Sequence, residues 1–479
     1  MRRQLNRLMI PVIMASLLAG CASYHAKPIS PSVTARAFEA RTLGNPGLRE
    51  FMENNENLHH RIKIKKTKTW PPAIWDFRML ALAAAYYSPA LDVMRAKWGV
   101  AQAAVITAGG RPNPSASFLG QHHSSTPGGI SPWTWGISFS IPIETAGKRG
   151  YRIRTAKHLS EAAQLNIDET AWQVWSRLKK SLLALYAAAY GQKYLEDQFS
   201  AQGKITRMFE QRLSAGEASQ FEVTGSRMAL DKMRLVLADN RKRKARARSA
   251  LAMALGVRAK ALDGVRISFG LFKRLPQAID LKKIRREALL GRPDILAALQ
   301  QYKASQSALQ LEIARQYPDV RIGPGYEWDQ GDNKWELGFA LSLPVFNQNQ
   351  GPIAEARARR KESAAKFMAL QSGIIEQIDR ARAVYAQSLK DLRVAGSIVS
   401  AERSNLRAVR ARLRLGEAGT LDLEQARMEF FSAELARFDA FILAQTDLIE
   451  LEDAVQRPLA KQEWPYGKYG GAIYKEPKR

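Results

Sequence analysis

A single thiol, six histidines and two carboxylates at matching positions are the side chains of this 479-residue sequence whose type and spacing could do chemistry. Cys21 has no second cysteine to pair with, which excludes an intrachain disulfide and any cysteine-based metal or redox centre. What the thiol can still do is accept an acyl chain. His25, His59, His60, His122, His123 and His158 form no helical i, i+4 pair and no zinc-type spacing. The pair His122-His123 falls near the outer end of a strand pair, where it reads as a solvated loop rather than a metal site. No catalytic constellation emerges, so the sequence does not read as an enzyme and implies no cofactor and no metal. Glu222 follows Gly216 by six residues, as Asp422 follows Gly416. Each falls in the first turn of a helix, where a carboxylate is favoured by the positive helix end, so capping is one role the position allows.

The setting of Cys21 gives the thiol its chemistry. Arg2, Arg3 and Arg7 precede the apolar run Leu8 to Leu18, the layout of a secretory signal peptide over residues 1–20. The run is shorter than the roughly 20 residues a membrane helix needs, so it is expected to be removed. Leu18-Ala19-Gly20-Cys21 resembles a bacterial lipobox, in which the cysteine receives diacylglycerol, and Ala22 in place of Asp points by that resemblance to the outer membrane. Each buried methylene of an acyl chain adds about 0.8 kcal/mol, so a multiply acylated terminus holds firmly. Residues 21–74 then form a lipidated N-terminal segment.

Apolar residues make up 46% of the chain, enough for a core, and the formal net charge is +28. The densest basic run, Arg241-Lys242-Arg243-Lys244-Ala245-Arg246-Ala247-Arg248, would in another setting suggest nucleic acid. A secreted lipoprotein does not meet the genome, and in a helical pattern this run reads as a solvated face. Acidic lipid headgroups or lipopolysaccharide are the contacts the sequence leaves open.

The elements that carry these residues are written twice. Ser88-Pro89-Ala90-Leu91 answers to Arg292-Pro293-Asp294-Ile295, and Pro114 to Pro318 at the same offset. Pro142 ends an apolar segment as Pro344 does, and Arg212-Leu213-Ser214-Ala215-Gly216-Glu217-Ala218 matches Arg412-Leu413-Arg414-Leu415-Gly416-Glu417-Ala418. The repeats are placed at 75–275 and 276–457, with a tail over 458–479. A period this long means internal duplication rather than a solenoid. Proline is absent between Pro142 and Pro276 and between Pro352 and Pro458, and helix formers dominate both stretches. Each is expected to hold a helix of about 65 residues, close to 100 Å long, a turn at Gly216 or Gly416, and a returning helix of about 38 residues. The length that the returning helix lacks is expected from one helix before the strands, roughly Phe77 to Ala108 and Leu281 to Gln316.

Between the helices the pattern alternates with period two. Trp133, Trp135, Ile137, Phe139 and Ile141 oppose Thr134, Gly136, Ser138 and Ser140, and Trp335, Leu337, Phe339, Leu341 and Leu343 oppose Glu336, Gly338, Ala340 and Ser342. Val320, Ile322, Tyr326 and Trp328 supply a third strand, and Ser115 to His123 a weaker fourth. Short strands with one apolar face and tryptophan at their ends match a transmembrane β-barrel, which places Trp133, Trp135, Phe139, Trp328, Trp335 and Phe339 toward lipid. Four strands are fewer than the roughly eight a membrane barrel needs, and open edges cannot face lipid. The chain is therefore expected to close its barrel with other copies, three of them giving about twelve strands.

Residues 75–457 resemble the outer-membrane factors, the TolC-like channels of tripartite efflux pumps, in both strand pairs and both tip turns. Ile141-Pro142-Ile143-Glu144 with Gly147-Lys148-Arg149-Gly150, and Leu343-Pro344-Val345-Phe346-Asn347-Gln348-Asn349-Gln350-Gly351, look like the heavy-metal-efflux branch. The resemblance implies a mainly α chain with a membrane β-barrel: internally duplicated helical hairpins forming a trimeric α-barrel, plus four transmembrane strands per chain. It also implies a homotrimer, a periplasmic adaptor protein meeting the tips at Gly216, Glu217, Gly416 and Glu417, a proton-driven inner-membrane pump, and rings of Glu222 and Asp422 at the periplasmic aperture. The function expected is a passive export duct for metal cations or drugs in the outer membrane, lipid-anchored and extending into the periplasm. A protein-secretion component, or a structural periplasmic lipoprotein without a pore, are the alternatives.

Overall fold

The computed structural model describes residues 22–57, 70–276 and 279–459, so the leader, Cys21 and most of the C-terminal tail lie outside the described residues. The chain divides into two units, residues 1–42 and 43–479. In the first, α1 (Pro31–Glu39) begins at a proline, whose fixed φ suits the first helical position.

The second unit carries α2 (Pro46–Asn57), α3 (Phe77–Tyr87), α4 (Pro89–Gly109), β1 (Ser115–His122), β2 (Trp133–Ile143), α5 (Lys148–Ser214) and α6 (Gln220–Leu255). Two short 3-10 turns, Ala259–Leu262 and Gly270–Lys273, lead to α7 (Leu281–Gly291), α8 (Pro293–Ala314), β3 (Val320–Asp329), β4 (Asp332–Leu341), α9 (Gln350–Arg414) and α10 (Thr420–Val455). The element order repeats as the sequence spacing predicts. The long helices α5 and α9 have 67 and 65 residues, and the returning helices α6 and α10 have 36 each.

One expectation is corrected. The helix before each strand pair is two helices, broken between Tyr87 and Pro89 and between Gly291 and Pro293. Proline forces the preceding residue out of the α region and lacks the N–H that would continue the ladder. Ser88 accordingly sits at φ −69° and ψ 112°, and its hydroxyl accepts from the backbone N–H of Leu91 at 3.3 Å. Arg292 takes a similar conformation, and its guanidinium grips Asp294.

The main core surrounds α3, which is apolar but for Arg78 in its first turn and buried on nearly every side, as such a helix must be. Leu48 and Met52 of α2, Trp175, Leu178 and Leu182 of α5, Leu251 and Leu255 of α6, and Phe272 close over it. Trp75 ties this core to the chain after α6: its N–H donates to Arg266 O and its carbonyl accepts from Ser268 N, both at 2.8 Å. A smaller core gathers Ala288, Ile295, Ile374, Ile378 and Val455 under α7. Along the long helices, α4 and then α6 pack on α5, while α8 and then α10 pack on α9. The stacking expected of the pre-strand helices is therefore made by α4 and α8. The repeats join where α5 packs on α8 and α10. Among the described residues no helix is long and apolar enough to cross a membrane.

Candidate membrane sheet and helical tips

The four strands form one antiparallel sheet in the order β1-β2-β3-β4. Register decides which side chains share a face, because direct partners point the same way. Phe118 pairs with Ile137, Gly120 with Trp135 and His122 with Trp133. Trp135 pairs with Trp328, Ile137 with Tyr326 and Ile141 with Ile322 across the repeats. Tyr326 pairs with Trp335, Pro324 with Leu337 and Ile322 with Phe339. The sheet thus collects Trp133, Trp135, Phe139, Trp328, Trp335 and Phe339 on a single apolar face, opposite a face of Ser117, Thr134, Gly136, Ser138, Gly323, Gly325, Glu327 and Gly338.

That apolar face is uncovered within the chain. Trp133, Trp135 and Phe139 are 41 to 43% exposed, and on the edge strand Trp335 reaches 82% and Phe339 67%. Burying a side chain of this size is worth about 1.5–3 kcal/mol, so a contiguous face of them is a surface for lipid or another protein to cover. The indoles of Trp133 and Trp135 stack at 5.1 Å, Phe118 tilts on Trp135 at 5.7 Å, and Tyr326 on Trp335 at 4.9 Å. Gly120 makes room for this packing, since a Cβ there would lie 2.8 Å from Trp135 Cζ3. The β3–β4 hairpin closes on Gln330 and Gly331, both at positive φ, the two-residue turn that suits twisted strands.

Where strands meet helices, a polar clamp fixes the change of direction. Ala146 and Gly147 at one junction and Asn349 at the other take positive φ immediately before α5 and α9. Buried Lys148 donates through Nζ to Tyr317 O and to Asp319 Oδ1, both at 2.6 Å. Burial pushes the Asp319 carboxyl up, but Lys148 and Thr145 outweigh it and hold it below the usual range. Arg152 forks onto both oxygens of Glu144 and, with Arg149, donates to the terminal carbonyls of α4. Asn349 Nδ2 donates to Glu312 O at 2.7 Å and Glu312 Oε2 at 3.1 Å. The clamp is not legible in either junction segment alone, because Lys148 and Asn349 find their partners far off in the chain, at Tyr317, Asp319 and Glu312.

The opposite ends of the long helices are two turns of one design. Gly216 and Gly416 sit at φ +77° and +78°, a region open to glycine. Glu217 N donates to Arg212 O at 2.7 Å and Glu417 N to Arg412 O at 2.9 Å, while each arginine side chain reaches back to the Glu217 or Glu417 carbonyl. Both glutamates are exposed. Glu222 accepts from Ser219 N at 2.7 Å, and Ser219 Oγ accepts from Glu222 N at 3.3 Å, a reciprocal capping box. Asp422 accepts from Gly419 N at 2.7 Å. The Ser219 backbone N–H, then its hydroxyl, hold the Glu222 carboxyl below its ordinary range. Both carboxylates are exposed caps in the single chain, at equivalent positions of the two tips.

Among the described residues no group of three or more His, Cys, Asp or Glu could hold a metal ion. His123 instead shares a hydrogen bond with Thr134 at 3.0 Å, and His122 lies edge-on to Trp133.

The family model for outer membrane efflux protein matches residues 82–257 and again 284–455, one match per repeat. The chain is similar to the cobalt-zinc-cadmium resistance protein CzcC of Cupriavidus metallidurans, at 25% identity over 346 residues, 70% of this chain and 78% of that protein. Its fold is like that of the outer membrane protein VceC from Vibrio cholerae, with a TM-score of 0.65 at 18% identity over 80% of this chain and 96% of that one. It is also like the Campylobacter jejuni CmeC outer membrane channel, with a TM-score of 0.64 at 15% identity over 95% and 97% of the two chains.

Proposed function

This chain belongs to the outer membrane efflux protein family, and from that premise we propose that it is the outer-membrane duct of a tripartite efflux pump, passing metal cations or drugs outward without binding them. The observation that carries the reading is the apolar sheet face, exposed within the chain and bounded by two open edges, β1 and β4. Lipid satisfies the face and further copies satisfy the edges. Three chains close the barrel in this proposal, and the helices of about 100 Å continue it through the periplasm. The tips around Gly216, Glu217, Gly416 and Glu417 meet a periplasmic adaptor, which links the duct to a proton-driven pump in the inner membrane. Glu222 and Asp422 cap their helices and, as rings of three, set a negative field at the aperture. Cys21 carries the lipid anchor. The likeness to CzcC supports metal cations as cargo.

Detergent-solubilised protein should have the mass of three chains and conduct ions in planar bilayers. A monodisperse folded monomer without conductance overturns the proposal. Palmitate labelling should mark the wild type and be lost in Cys21→Ser, and an unlabelled wild type removes the anchor from it.

A further inference from the structure

The basic surplus has a defined place in the fold. Within the run at 241–248, Arg243 is paired with Asp239 at 2.7 Å and Arg248 with Asp263 at 2.5 Å. Arg241, Lys242, Lys244 and Arg246 are exposed and have no acidic partner among the described residues. Their helix, α6, packs on α5 and on no other long helix, so it forms one edge of the four-helix layer. The other edge is α9, which packs on α10 and α8.

Contacts across the layer fix the level of the run. Asn240 Nδ2 donates to Ala188 O of α5 at 3.0 Å, Tyr194 of α5 packs on Phe438 of α10 at 5.3 Å, and Ser388 of α9 bonds to Asp447 of α10. Lys390 and Arg393 on the far edge, both exposed, therefore lie at the same height as the run. When copies join edge to edge, α6 of one and α9 of the next bring a net surplus of positive charge together, Asp391 offsetting one of the two α9 cations. Such a collar of cations is self-repelling unless an anion lies against it.

Its height decides which anion. Ala188 lies about 40 residues into α5, so the collar stands roughly 60 Å from the sheet. Membrane charges are screened over about 8–10 Å at ordinary ionic strength. The lipid headgroups and lipopolysaccharide left open by the sequence are thereby out of reach, provided the sheet is the membrane segment, and to that extent the inference rests on the proposed function. An extended polyanion within the periplasm is not. The periplasmic polymer bearing closely spaced carboxylates is the cell-wall glycopeptide.

We propose that Arg241, Lys242, Lys244 and Arg246, with Lys390 and Arg393 at the adjoining edge, form a collar that docks on the carboxylates of the cell-wall glycopeptide. The duct is thus seated in the wall at one height along its helices.

The test is cosedimentation of the purified, detergent-solubilised full-length protein with isolated cell-wall sacculi. Wild-type protein should pellet with sacculi at 50 mM salt and be released at 500 mM. The substitutions Arg241→Gln, Lys242→Gln, Lys244→Gln and Arg246→Gln together should weaken binding at least tenfold. The charge-keeping set Arg241→Lys, Lys242→Arg, Lys244→Arg and Arg246→Lys should retain it. Sacculi with amidated carboxyls should bind no better than the glutamine variant does. Oligomer mass and conductance, measured on the same preparations, should not change, which separates failure of the collar from failure of the duct. Absence of cosedimentation, undiminished binding by a folded glutamine variant, or equal binding to amidated sacculi each overturns the proposal. So does preferential, run-dependent binding to phosphatidylglycerol vesicles or lipopolysaccharide.

Discussion

A deeply buried ion pair between the two repeats can be weighed against its own removal. Lys179 on α5 donates to Glu452 Oε2 on α10 at 2.7 Å, with the side chains 3% and 1% exposed. The Lys179 ammonium also lies 5.0 Å from the Trp175 ring centre, and Glu452 Oε1 accepts from Leu459 N at 3.1 Å. Lys179→Met strands a buried carboxylate, and Glu452→Leu strands a buried ammonium; each should cost about 3–5 kcal/mol. The double variant strands neither charge. A methionine in place of Lys179 still packs on the Trp175 ring through its thioether, so the chief loss among the contacts named is the Leu459 N–H partner, about 1–2 kcal/mol. At roughly 2 °C per kcal/mol, the single variants should melt about 6–10 °C lower in detergent, and the double variant only about 2–4 °C lower. Circular dichroism with scanning calorimetry on matched oligomers reads the difference. Single variants within 2 °C of wild type, or a double variant that falls by the sum of the two, would refute the argument that stranded charge sets the cost.

Three further outcomes follow from the junction and the tips. Asp319 is held below the ordinary carboxylate range, so its stabilisation is complete above about pH 4 and is lost as pH falls through the lowered value. Melting of the wild type between pH 5 and 3 should therefore drop more steeply than that of Asp319→Asn, and parallel curves would remove the clamp from the account. Gly216→Ala and Gly416→Ala each force an L-residue into left-handed backbone at about 1–2 kcal/mol, read as faster limited proteolysis at the substituted tip only. The pair Glu222→Gln with Asp422→Asn should lower cation preference in single-channel recordings with assembly intact. Unchanged reversal potentials beside slightly lower melting would mean that these carboxylates act as caps alone.

Features with a local period were legible in the chain. The proline-free, alanine-rich stretches gave helices within a few residues of their lengths, because propensity summed over many turns outweighs local noise. Trp133 to Ile141 and Trp335 to Leu341 alternated strictly enough to fix their faces. The pairing of Trp135 with Trp328 was not legible, since it joins strands of different repeats and is set by how the hairpins abut. The breaks at Pro89 and Pro293 are written locally, since Ser-Pro and Arg-Pro mark a helix start as well as a repeat boundary. The clamp of Lys148 on Asp319, the Lys179–Glu452 pair and the core around α3 depend on residues brought together only by the fold. Nothing local distinguishes Lys179 from the exposed lysines around it.

The β2–β3 ladder has a consequence for how closed assemblies arise. A lone β1–β2 hairpin could complete a ring only by laying its second strand against the first strand of another molecule. In this chain that contact is made internally, in register, from Thr134 against Asp329 to Ile143 against Val320. For the proposed ring, duplication turns every other collision between molecules into a tethered closure, for which the local concentration of the partner is on the order of millimolar. In the proposed ring the rungs to be formed between molecules are those of β4 with β1, unlike edges whose pairing runs head to tail. An even number of strands keeps that last rung antiparallel, so growth around the ring never has to reverse direction.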